Sequence, residues 1–150
     1  MDFMSDALHN KTRFRTFNVI DDFNREALGL DIGTGIPAKR VTRYLDQLAL
    51  GSVTRIKSVS TTVLNLRQVN LCNGLNAQVI IDYIKPGCPY QNAYIERFNR
   101  TYRNDILDLY LFRNLDEVFE MTENWLKLYN TERPPDSLNN MTPAEYRLAT

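Results

Sequence analysis

Residues 12–33 hold two strand-forming runs separated by a turn, and this restricts the chain to folds that begin on an antiparallel hairpin. The first run, TRFRTFNVI at 12–20, is rich in aromatic and β-branched side chains, which pack well on a pleated surface. Asp21-Asp22-Phe23-Asn24 follows as a turn, because Asp and Asn side chains bond their own backbone. The second run, REALGLDIG at 25–33, alternates well enough for a strand. Met1–Leu8 reads as the end of a further strand beside them. Gly33-Thr34-Gly35 breaks the pattern, and Pro37 suits a first helical turn. Val41, Tyr44, Leu45 and Leu48 then fall at the spacing of a half-buried helix. A helix laid on a hairpin predicts an α/β or α+β domain.

The chain has 150 residues, enough for one domain with its own core. With 43% hydrophobic and 24% charged residues it has an ordinary globular composition, which excludes long disorder and a disulfide mini-scaffold. Its 18 basic residues balance its 18 acidic ones, so any nucleic-acid contact must come from a local patch. Cys72 and Cys88 form no CxxC pair and point to a reducing compartment or an incidental role. A single histidine, His9, leaves little material for a Ser-His-Asp triad or a His-rich metal site. No apolar run is long enough to cross a bilayer, and Asp2 and Asp6 directly after Met1 do not suit a signal peptide. The expectation is a cytoplasmic protein without a membrane partner.

Further along, VIIDYI at 79–84 reads as a short buried strand, and Lys85-Pro86-Gly87-Cys88-Pro89 as a loop. A helix is expected from Gln91, with Ala93, Phe98, Tyr102, Ile106 and Leu109 on its apolar side. Asn114 and Glu117 resemble a capping box opening a helix whose apolar set is Leu115, Val118, Phe119, Trp125, Leu126 and Tyr129. Thr142, Pro143 and Glu145 repeat that logic for a short last helix. Residues 50–78 have no clean period beyond a possible strand at 53–66.

Chemistry concentrates in residues 84–103. Glu96 is followed by Arg97, Arg100 and Arg103 at three-residue steps, with Tyr90, Tyr94, Phe98 and Tyr102 interleaved. Guanidinium groups suit phosphate because their planar fork makes paired hydrogen bonds. Lys85, Gln91 and Asn92 precede the helix, where free backbone N–H groups favour anions. A solvated charged face over an aromatic core has the same spacing. A carboxylate beside phosphate-binding groups also suits magnesium, which prefers oxygen ligands, and Asp2, Asp6, Asp21, Asp22 and Asp82 are further candidates by count.

The segment YIKPGCPYQNAYIERFNRTYR at 83–103 resembles the catalytic-glutamate region of bacterial insertion-element transposases, in the superfamily of DDE transposases and retroviral integrases. MDFMSDAL and RFRTFNVIDDFNREALG resemble that family's first strands, and NWLKLYNTERPPDSLNNMTPAEY its C-terminal end. The resemblance covers residues 1–49 and 80–148. It implies an RNase H-like fold, a mixed sheet flanked by helices, over a single integrase-type core at 1–150 that starts within the first strand. It implies metal-dependent DNA cleavage and strand transfer at a two-ion magnesium or manganese site held by Asp, Asp and Glu. By motif, Asp2 is the first aspartate and Glu96 the glutamate, with Lys85, Gln91, Asn92, Arg97, Arg100 and Arg103 near DNA phosphates.

The middle aspartate is missing. The family's KIRVDNGPEF stretch falls, counting back from Glu96, with its aspartate at Ser60, and residues 47–81 contain no Asp or Glu. The codons suggest why. Joining the third base of each codon to the first two of the next lets Ile56 through Leu66 encode K-I-R-V-D-N-G-P-E-F. TCG for Ser60 before ACN for Thr61 yields GAC, an aspartate. Cys72-Asn73-Gly74-Leu75 likewise yields Gln-Trp-Ala, as the family pattern wants. Residues 50–78 thus read as a shifted frame with compensating shifts near 50 and near 79, against the alternative of a divergent loop. Arg133-Pro134-Pro135 stands where the family carries Arg-Pro-His, so an imidazole that could assist the site is absent. The chain is also expected to lack an upstream helix-turn-helix region.

The expectation is therefore a catalytically impaired core with a weak metal site. Its partners would be DNA, both element ends and target, and an intact transposase as oligomer partner. Three alternatives stand beside it. One is a non-catalytic DNA- or transposase-binding fragment that inhibits the intact enzyme. Another is a related nuclease using Asp21 or Asp22. The last is a remnant with poor order over 50–78.

Overall fold

The computed structural model describes residues 1–51, 57–58, 80–81, 92–133, 138 and 140–149. Strands β1 (Asp2–Ala7), β2 (Arg13–Ile20) and β3 (Ala27–Gly33) form an antiparallel sheet with β2 in the middle. Asp2 stands opposite Asn18, Met4 opposite Thr16, and Thr16 opposite Ile32. The hairpin expected over 12–33 is present, and Met1–Leu8 supplies the third strand. Its turn forms as the residue types dictate. The Asp21 carboxylate accepts from the Phe23 N–H at 2.8 Å, and the Asn24 carbonyl oxygen from the Glu26 N–H at 3.1 Å. Two short strands, β4 (Lys57–Ser58) and β5 (Ile80–Ile81), pair in parallel, so the described strands are mixed in direction.

Helices cover both faces of the three-stranded sheet. Helix α1 (Ala38–Gly51) lies on one face. Val41 and Leu45 are fully buried there with Phe17 and Val19, and Tyr44 and Leu48 pack alongside, as their spacing predicts. Arg40 fastens this helix by donating to both oxygens of Asp31 on β3, at 2.7 and 2.6 Å, and to the Ile32 carbonyl at 2.9 Å. Gly29 has no side chain because the Tyr44 hydroxyl occupies the space a Cβ would take.

The opposite face carries α2 (Ala93–Tyr102), a π-helical turn at Arg103–Leu107, and α3 (Leu115–Glu132). Phe14, Leu30 and Ile32 of the sheet pack there with Ile95, Phe98, Tyr102, Ile106, Val118 and Trp125. Phe98, Tyr102, Trp125 and Tyr129 form an aromatic cluster with ring centroids 5.0–5.5 Å apart. Helix α4 (Pro143–Ala149) ends the chain's described part. The whole is a mixed α/β arrangement with the core split into two layers by the sheet. Among the described residues no helix is long and apolar enough to cross a membrane.

The structure corrects three apolar assignments. Ala93 and Leu109, expected on the buried stripe, are exposed, Leu109 by 66%. The π turn is the reason for the second. The Asp108 N–H reaches back to the Arg103 carbonyl, one residue further than in an α-helix, which turns Leu109 away. Phe119 is 48% exposed, because Val118 and Thr122 already fill the inward positions of α3. Both expected caps form. Asn114 accepts from the Glu117 N–H at 2.9 Å, while the Glu117 carboxylate accepts from the Arg113 N–H at 2.8 Å. Thr142 and Glu145 make the reciprocal pair at 3.2 and 2.8 Å.

Candidate functional site

Asp2, Asn18 and Asn99 meet where β1 and β2 face α2. Asp2 and Asn18 are cross-strand partners and so present side chains to the same face. The Asn18 amide donates to the Asn99 carbonyl oxygen at 2.7 Å, and the Asn99 amide donates to Asp2 Oδ2 at 2.9 Å. Asn18 is fully buried, Asn99 nearly so, and Asp2 is half-buried. This polar line crosses the layer between sheet and helix, and among the described residues Asn18 Oδ1 is buried without a hydrogen-bond partner. Such an orphan costs about 1–3 kcal/mol.

Glu96 lies on α2 three residues before Asn99, exposed. Positions three apart on a helix are neighbours about 5–6 Å apart at Cβ. Glu96 therefore sits one turn from the residue that grips Asp2. Asn99 thus ties the helix that carries Glu96 to the strand that carries Asp2. Asp2 and Glu96 offer the hard oxygen donors that magnesium and manganese prefer. Among the described residues no three His, Cys, Asp or Glu side chains group closely enough to hold a metal ion. Ser60, Asp82, Lys85, Gln91 and Pro135 lie outside the described residues, as do Cys72 and Cys88.

The arginines divide. Arg97 and Arg100 are exposed on α2. Arg103 is engaged by the fold itself. It donates to the Ser5 carbonyl at 3.1 Å and pairs with Asp6 at 3.5 Å and Asp108 at 3.6 Å. Asn92, at the cap of α2, is buried and makes no side-chain cap bond. Tyr94 lies half-exposed under the Arg25 guanidinium, 3.3 Å from its ring centroid. Arg97, Arg133 and Arg25 all lie close enough to Tyr129 to oppose the rise that burial imposes on its pKa. Asp21 serves the β2–β3 turn.

Sequence reasoning missed Asn18 and Asn99. A polar residue inside TRFRTFNVI reads as the solvent side of a strand, yet β2 is buried on both faces from Thr16 onward. Asn99 gave one signal, its three-residue step from Glu96 on the predicted helix.

Comparison with known proteins adds a family. Residues 77–143 match the integrase core domain. That match opens at the close of the aperiodic stretch 50–78. The chain is 33% identical over 148 residues to an insertion element IS476 protein of 39.2 kDa from Xanthomonas euvesicatoria. It is 34% identical over 151 residues to an insertion element IS407 protein of 31.7 kDa from Burkholderia multivorans. Each alignment takes in 97% of this chain but only 42% and 53% of those proteins, so the chain spans about half their length. A 64-residue stretch is 34% identical to an insertion element IS600 protein from Shigella sonnei, covering 42% of this chain and 24% of that protein. The glutamate-centred motif, the integrase core match and these relatives together make the chain similar to the integrase-type transposases of bacterial insertion elements.

Proposed function

We propose that this chain is the RNase H-like core of an insertion-element transposase, retaining DNA contact and part of a metal site but impaired in catalysis. The observation that supports the reading is the hydrogen bond from Asn99 to Asp2, made one helical turn from Glu96. Asp2 and Glu96 would hold a divalent ion, which when bound supplies electrostatic stabilisation of the attacking and leaving oxygens. Arg97 and Arg100 line the adjoining face of α2 and would take DNA phosphates, with Lys85, Gln91 and Asn92 at its approach. Arg103, tied to Asp6 and Asp108, contributes mainly to holding α2 on β1.

Impairment follows from the donor set. Serine at position 60 is neutral and cannot replace a carboxylate. Losing one carboxylate of a two-ion site should remove most of the rate. Two measurements test this. Reading the gene across codons 45–85 decides whether the shifted frame spells Asp-Asn-Gly-Pro-Glu. Assaying magnesium-dependent cleavage and joining of DNA should then find no product with this chain, and product with the chain carrying the shifted-frame segment. Magnesium-dependent joining by the chain as it stands overturns the impairment.

The DNA-contact part has its own measurement. Replacing Arg97 and Arg100 together by Ala should weaken binding to any DNA duplex and flatten its dependence on salt, because fewer counterions are released. Unchanged affinity and salt slope in the folded double variant would remove α2 from the DNA surface.

A further inference from the structure

Arg25, in the turn between β2 and β3, is held in an unfavourable state twice over. Its φ is 61°, in the left-handed region that glycine and asparagine enter readily and longer side chains do not. Its Nε and Nη1 are buried and, among the described residues, make no hydrogen bond. A buried N–H without a partner destabilises, and a guanidinium ordinarily turns its fork to a carboxylate or phosphate. Here the group lies over the Tyr94 ring instead, 3.3 Å from its centroid. Burial pushes the Asp22 pKa up, and the Arg25 charge is among the groups that oppose this, so Asp22 is the nearby counter-charge. Strain and unpaired donors on one residue point to a functional demand on it. What the residue secures is a tyrosine ring held still.

Tyr94 stands on the first turn of α2 and is 45% exposed. Arg25 covers one face of the ring, so the exposure lies on the other face and the edge. Arg97, three residues on, is its neighbour on the helix and is exposed, as is Arg100 a further turn along. Glu96, two residues on, does not share that face. Arg25, Arg97 and Arg133 also gather about Tyr129, although Arg133 is paired with Asp105 at 2.7 Å. The chain as a whole carries no net charge, so this is a local concentration of cations around two tyrosines. Single-stranded nucleic acid is bound by this combination, its bases stacking on aromatic rings and its backbone following basic groups. A base inside a duplex already has both faces stacked and offers none to a ring.

We propose that Tyr94 is a stacking platform for an unpaired base of DNA, backed by Arg25, with the phosphates of that strand passing Arg97 and Arg100. The platform deepens the proposed function and rests on its reading of α2 as a DNA surface.

The test measures binding of the whole chain to an oligothymidine strand and to a blunt-ended duplex by fluorescence anisotropy. Tyr94→Leu should weaken the single strand by about 10-fold, the usual effect of losing one stacked base, and leave the duplex unchanged. Tyr94→Phe keeps the ring and should bind both as the starting protein does. Arg25→Asn tolerates the left-handed backbone but removes the backing, and should weaken the single strand alone. A strand carrying iodinated deoxyuridine should crosslink under ultraviolet light to Tyr94, as peptide mass mapping will report.

A folded Tyr94→Leu variant with unchanged affinity for the single strand overturns the proposal, as does a crosslink that maps away from Tyr94. Equal losses on both DNAs make the Arg25–Tyr94 contact a clasp of the fold and reject the platform. If Tyr94→Leu does not fold, the crosslink to the starting protein decides. Binding of duplex alone rejects the platform and leaves the DNA surface standing. Binding of neither overturns the DNA surface, and the platform with it.

Discussion

Thr142 and Glu145 show how much a single pair of side chains can do at a helix start. The Glu145 carboxylate accepts from both the backbone N–H and the hydroxyl of Thr142, and its backbone N–H donates to that hydroxyl. The hydrogen bond from the Thr142 backbone, with the hydroxyl second, holds the Glu145 pKa below the ordinary glutamate value of 4.5. A depressed carboxylate stabilises the fold above its unfolded value and stops doing so as pH falls through its folded value. Thr142→Ala should thus destabilise the fold at pH 7, as the loss of a cap does. That penalty should shrink below pH 4, and urea melts at the two pH values check it. The pair was legible as T-P-A-E because a cap needs only local spacing. The line from Asn18 through Asn99 to Asp2 was not, because it joins residues far apart in sequence. Nothing local tells an inward asparagine from an outward one.

Helix α1 tests how far a spacing rule reaches at the level of an element. Val41, Tyr44, Leu45 and Leu48 were readable as one face, and they face the sheet. What the spacing did not reveal is how closely the helix sits. A Cβ on Gly29 would collide with the Tyr44 hydroxyl and come within 3.3 Å of Leu48. Gly29→Ala should therefore destabilise the fold by about 1–3 kcal/mol, the usual range for overpacking. Gly29→Ala combined with Tyr44→Phe should recover most of that, as denaturant midpoints of the double-mutant cycle will report. On the other face Tyr102 is buried and shares a hydrogen bond with Thr122 at 2.7 Å. Burial pushes its pKa up to about 12, and burial also raises Tyr44 and Tyr129. A phenol whose folded value is raised stabilises the fold below its unfolded value, near 10, and the contribution is lost as pH climbs toward 12. Stability should accordingly fall between pH 10 and 12, and thermal melts across that range measure it. The π turn after Tyr102 explains why the spacing rule, which held from Phe98 through Ile106, failed at Leu109. The rule assumes a constant number of residues per turn.

Across the whole molecule, the first and last parts of the chain are fastened by a few polar bonds as well as by the core. Asn130 on α3 donates to the Ala27 carbonyl at 3.0 Å and accepts from the Ala27 N–H at 2.9 Å. Arg147 on α4 pairs with Glu26 at 2.8 Å, and Trp125 and Arg133 both bond Asp105 of the π turn. Asn130→Ala would leave two backbone groups of β3 without their partner and should cost about 1–3 kcal/mol. Proteolysis should then release the α3–α4 end first. The family resemblance was legible because its motif is local and dense, whereas these ties are distant and unpatterned. Their distance also bears on how the protein is made. The three antiparallel strands are complete by Gly33, but among the described residues the helices that cover the side of Phe14, Leu30 and Ile32 begin near Ile95. At a synthesis rate of about 5–20 residues per second, that apolar face waits about 3–12 seconds for its cover. A change of reading frame that stopped translation within that interval would release a bare sheet, ready to aggregate. A pair of shifts that restores the frame ahead of α2 preserves the helices that close it.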